Sequence, residues 1–121
     1  ALNRYGEVAV FLSKKAMGSD IKLAFSHAHP FLDVTGDIIM AWMLLWRAAR
    51  AYSRLEDLTA KSPHPEERAA PKRETAFLNG QLKTAAYFIT MTLPITIGKI
   101  KGIMQADTAA ILEMNDNNFG A

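Results

Sequence analysis

The chain has 121 residues, no cysteine and a formal net charge of +2; half of it is hydrophobic and 21% is charged. That is one domain with apolar residues enough for a core, which excludes disorder, and the lack of cysteine excludes a disulfide framework, a zinc ribbon and a thiol nucleophile. The pI of about 9.0 rests on fourteen basic against twelve acidic groups, so composition carries no argument for nucleic acid.

Taken in order, Leu2, Tyr5, Ala9, Leu12 and Ala16 step by three and four residues, which predicts a first helix over 2–17 ended by Gly18-Ser19. Charges at Arg4, Glu7, Lys14 and Lys15 exclude a secretory leader there. Residues 19–29 fit either a helix or a packed connection, and Pro30 suits the first turn of a new helix. That helix carries the stripe Phe31, Thr35, Ile38, Trp42, Leu45, Ala49 and Tyr52, widened by Leu32, Ile39 and Trp46. Ile38, Trp42, Leu45 and Trp46 are therefore the expected core. Met40, Met43 and Leu44 point away from the stripe, and a helix apolar nearly all round is buried on more than one side or meets another surface. Those three residues are the candidate contact face. The apolar run Ile38 to Trp46 spans roughly 14 Å of helix, well short of the ~30 Å hydrocarbon core of a bilayer. The expectation is a cytoplasmic protein with no membrane partner.

Residues 59–73 hold three of the five prolines and many charges, the composition of an exposed loop. A third long helix is predicted from Glu74, on Leu78, Leu82, Ala85, Ile89 and Leu93. Pro94 cannot donate to the Thr90 carbonyl, so a kink or break is expected, with Thr90 and Thr92 free to bond backbone groups it releases. Ile97, Ile100 and Met104 resume a stripe, and Asp107 suits the cap of a short last helix over 108–114, ended by Asn115 to Asn118. Nothing alternates with period two. The fold class expected is all-α: an antiparallel up-and-down bundle of three long helices plus shorter ones, four-helix in outline, forming a single domain over 1–121.

Motifs for chemistry are sparse. His27-x-His29 with Asp33 reads more readily as polar surface at a helix start than as a metal site, and no Glu-x-x-His pair is present. Asp33 and Asp37 share a helix face, where two carboxylates can divide acid and base roles or simply favour the positive end of the helix dipole. No serine lies in a nucleophile elbow and no glycine-rich phosphate loop occurs. No catalytic, cofactor-binding or metal-binding residue is assigned. The series Arg47, Arg50, Arg54 offers a phosphate backbone only a weak surface within a nearly balanced charge, so a nucleic-acid-binding or self-associating module is the alternative reading.

Phe31-Leu32, Gly36-Asp37 and Trp42-x-Leu44, followed by Ala76-Phe77, Gly80-Gln81-Leu82-Lys83-Thr84-Ala85, Tyr87-Phe88, Leu93-Pro94 and Ala106-Asp107 with Ile111-Leu112 and Phe119, form an ordered set. Over residues 22–119 this set resembles the C-terminal helical extension of bacterial acyl-CoA dehydrogenases of the 3-methylmercaptopropionyl-CoA dehydrogenase-like group. The resemblance implies an all-helical domain attached to an FAD-dependent enzyme that oxidises an acyl-CoA thioester at its α and β carbons. FAD, acyl-CoA and the catalytic base would then belong to the parent body, and the chain by itself would not be catalytic. The implied partners are that dehydrogenase body and, in a homo-oligomer, further subunits; the chain reads as a C-terminal fragment with a structural role.

Overall fold

A computed structural model describes residues 1–60, 72–105 and 112–120. The fold is all-α, and no strand occurs among the described residues. Among the described residues five α-helices follow in order: α1 (Leu2–Ala16), α2 (Ile21–Ser26), α3 (Ala28–Ala60), α4 (Lys72–Tyr87) and α5 (Leu93–Met104). A π-helical turn, Phe88–Thr92, joins α4 to α5, and a 3-10 turn lies at Asp116–Phe119. Two compact units divide the chain: residues 1–38 with 95–121, and residues 39–94. No helix among the described residues is long and apolar enough to cross a membrane.

The first unit is built around Val8 and Leu12 of α1, Val34 and Ile38 of α3, and Ile100 and Ile103 of α5, all buried, with Tyr5, Phe11 and Phe31 packed against them. The spacing in each helix is four or three, so each contributes one stripe to a shared core. Polar contacts fix how the stripes meet. The Tyr5 ring stacks on Phe31 with centroids 5.5 Å apart and planes 4° from parallel. The Thr35 hydroxyl donates to the Phe31 carbonyl at 2.8 Å, which uses its one proton, so Tyr5 Oη donates to Thr35 Oγ1 at 3.2 Å. Thr96, fully buried, donates to Asp37 Oδ2 at 2.7 Å, and Lys99 Nζ donates to Asp33 Oδ2 at 3.3 Å. Moving forward on α3 from Asp33 to Asp37 moves backward on α5 from Lys99 to Thr96, so these segments run antiparallel. The two aspartates that share a face thus hold α5, each through its own partner.

Lys14 and Lys15 lie in the last turn of α1, where the helix dipole favours cations. The Lys15 ammonium also reaches Asp20 Oδ2 at 2.6 Å, closing the corner between α1 and α2. Asp20 precedes α2 without capping it through its side chain; it serves the lysine instead. Leu23 seals the inner side of α2, almost fully buried. A six-residue helix is too short to reveal itself by periodicity, which is why the sequence left 19–29 open.

In the second unit, Arg47 donates to the Gln81 amide oxygen, and Arg54 Nε donates to Glu74 Oε1 at 3.0 Å. Going up α3 again means going down α4, so the two form an antiparallel hairpin. Pro94 produces no break. The strain it imposes is taken up by the preceding π turn, where Thr90 Oγ1 donates to the carbonyls of Ala86 at 2.8 Å and Tyr87 at 3.2 Å. Residues 59–60 and 72–73, expected in a loop, are helical; 61–71 lie outside the described residues, as do 108–111 of the short helix expected over 108–114, of which residue 112 is helical and 113–114 are not. Instead of a plain stop, Asn115 and Asn118 form a reciprocal capping box around the 3-10 turn, which ends on Gly120 at φ 74°.

Replacing Thr96 by valine keeps the shape and removes the donor to Asp37; a loss of about 1–2 kcal/mol in urea unfolding is expected. The Lys15 side chain, by hydrogen bond and charge, holds the Asp20 carboxyl below its ordinary value. A lowered carboxylate contributes stability above its unfolded value and loses it as pH falls through the folded one. Lys15→Ala should therefore lower the urea midpoint at neutral pH, and the gap to wild type should close on acidification below the ordinary aspartate range.

Candidate interaction surface on α3

From Ala41 onward the buried and half-buried positions of α3 are Ala41, Leu44, Ala48, Ala51, Leu55 and Leu58, in steps of three and four. Small residues at three of these let the partner helix come close, since interaxial distance is set by the side chains at the contact. On α4 and the π turn the corresponding positions include Leu78, Gln81, Leu82, Ala85, Phe88 and Ile89. Hollows shared by Ala51 with Leu78 and by Leu55 with Leu82 lie along this seam. Because the alanine and leucine seam faces inward, the bulkiest side chains of α3 face out.

Trp42 is 68% exposed, Trp46 56% and Leu45 51%. The expectation that they form core is thereby corrected, while Ile38 is buried as expected. The stripe chosen for its aromatic weight is not the stripe that fits against α4. Leu44, expected in the contact face, is buried in the alanine seam at 8% exposure, so it offers no outward surface. Met40 and Met43 are about half exposed, and Ile39 extends the open apolar face. Two tryptophans at these exposures present roughly 300 Å² between them, already the size of the largest apolar patch on many monomers. The signal that locates the face was present in the sequence as the run of alanines at helical spacing.

The arginines beside this face are engaged. Arg47 and Arg54 bind α4 as described, and the Arg50 guanidinium lies 5.1 Å from the Trp46 ring centroid. That cation–π contact lays the guanidinium over the indole. The arginine series is thus committed largely to α4 and Trp46 rather than presented as a free cationic row.

Among the described residues no group of three or more His, Asp and Glu is placed to hold a metal ion. His27 keeps a buried Nε2 without a hydrogen-bond partner, and His29 is exposed. Three surface hollows among the described residues are each open and lined by residues of one helix or one hairpin, as with Gly6, Glu7, Val10, Phe11 and Lys14 on α1. A flavin needs an enclosed slot for its ring system and donors for its phosphates, and none of these three hollows is such a slot.

The orientation of α3 is open to a direct test. Ala51→Leu should overpack the hairpin and cost about 1–3 kcal/mol, whereas Trp42→Ala should change the stability of the isolated chain by less than ~0.5 kcal/mol. The reverse order in denaturant titrations would return the tryptophans to the core.

A family model described as acetyl-CoA dehydrogenase C-terminal like matches residues 1–114. No curated protein matches the chain, and no solved structure does. The match spans every element that frames the exposed α3 face, and by it this chain belongs to the acetyl-CoA dehydrogenase C-terminal-like family.

Proposed function

We propose that residues 1–121 act as one accessory domain of an FAD-dependent acyl-CoA dehydrogenase, docking through α3 onto the dehydrogenase body. The observation that carries this reading is the open apolar face of α3, with Met40, Met43, Trp42 and Trp46 at its centre, in a chain whose family is named for a C-terminal part of such enzymes. Methionine adapts its shape to a partner surface, and tryptophan supplies large contact area at low entropic loss. The role is structural: the domain stabilises the assembly or covers part of the substrate entrance. FAD, the acyl-CoA thioester and the α,β-oxidation belong to the body, and the parent is read as a cytoplasmic homo-oligomeric flavoprotein. Burial of the α3 face against protein also accounts for a surface that water would otherwise disfavour at about 25 cal/mol per Å².

Two lysines at the centre of the face would place charge where the body should sit. In the full-length parent, Met40→Lys with Met43→Lys should separate the domain from the body. The readouts are faster proteolytic release of the domain and a lower Tm of the enzyme, with the helicity of the isolated chain unchanged. Wild-type proteolysis and Tm in that variant would overturn the docking surface.

A further inference from the structure

The outward side of α1 carries a second pattern, separate from the α3 face. Gly6, Val10 and Met17 lie along one line of the helix, with Val10 53% and Met17 87% exposed. A Cβ built on Gly6 meets nothing within 4 Å, so the glycine leaves an open hollow, walled by Glu7, Val10, Phe11 and Lys14. Glu7 and Lys14 are both exposed and stand on the same flank of this line, seven residues apart. Seven residues are close to two full turns, about 10 Å along the axis. Lys15 is taken by Asp20, but no ion pair among the described residues engages Glu7 or Lys14. An acid and a base on one flank, both unmatched, with an apolar hollow between them, form a surface complementary to itself when reversed.

We propose that this face of α1 pairs with the same face of a second copy of the chain, antiparallel, about a twofold axis passing beside Val10. In an antiparallel pair each flank faces its own counterpart. Glu7 of each copy then meets Lys14 of the other, giving two symmetric ion pairs around a Val10 contact, and the hollow at Gly6 lets the helices approach closely. In a parallel pair each flank faces the opposite flank of the neighbour, so Glu7 and Lys14 do not meet, and only the antiparallel arrangement forms the two ion pairs. A helix of fifteen residues is about 22 Å long and buries less than the ~800 Å² per partner of a standard interface. The dimer is accordingly weak and salt-sensitive in the isolated chain, and gains strength where other contacts already bring copies together. The inference does not rest on the docking of α3, and the isolated chain tests it without the dehydrogenase body.

The experiment is sedimentation equilibrium of the 121-residue chain at high concentration, at low and high salt, with far-UV circular dichroism to verify helicity. Wild type should dimerise reversibly and more weakly at high salt. Glu7→Lys alone and Lys14→Glu alone each put like charges opposite at both positions and should raise the dimer Kd by about tenfold. The double variant, Glu7→Lys with Lys14→Glu, restores both pairs with reversed polarity and should recover the wild-type Kd. Mixing the two single variants should yield a heterodimer tighter than either homodimer, which no change in monomer stability produces. A monomeric wild type, single variants that dimerise as wild type does, or a mixture without the heterodimer would each overturn the proposal. The second of these would assign any association to another face, including that of α3.

Discussion

α3 is 33 residues long, close to 50 Å of continuous helix, and the rest of the chain has to accommodate that length. No single small core extends so far. Its first turns therefore belong to a unit closed by α1 and α5, and its remaining turns to a hairpin with α4. Each unit has its own buried positions on α3. Val34 and Ile38 serve the first unit; Ala41, Leu44, Ala48 and Ala51 serve the second.

Packing decides which stripe goes inward, and it does so by size rather than by hydrophobicity. Against α4 the seam of alanines gives short interaxial distance and many dispersion contacts. A seam of tryptophans would hold the helices apart and leave gaps beside each indole. The larger side chains are then left outside, with Arg50 laid over Trp46. Polar contacts add direction rather than bulk stability. The exposed Arg54–Glu74 pair contributes little energy, but with Arg47–Gln81 it selects one register of the hairpin.

The sequence was legible where a helix is long and its neighbours ask for one stripe. The first helix ends one residue from its expected end, the all-α class follows from the absence of alternation, and α4 carries the leucines expected of it. It was misleading at Trp42, Leu45 and Trp46, because counting apolar weight favours aromatics over the small residues that close packing prefers. Leu44 was assigned to the wrong side for the same reason. Pro94 announced a disturbance correctly, yet the backbone relieves it by widening one turn upstream instead of ending the helix, an outcome that depends on Thr90 bonding two carbonyls. The small α1 hollow has no strong local signature. It became visible only once Gly6, Val10, Glu7 and Lys14 were placed on one exposed side.

The outward tryptophans also bear on the order in which such a protein is made. Chains emerge from the ribosome N-terminus first, and domains fold as units in that order. If this domain follows its dehydrogenase body, as the name of its family suggests, and docks on it through α3 as proposed, its docking surface is already folded when the tryptophans appear. Synthesis then supplies the partner at the high effective concentration of a shared chain, and the face need never meet another molecule uncovered. The same face on a domain made first would wait in solvent as an aggregation hazard.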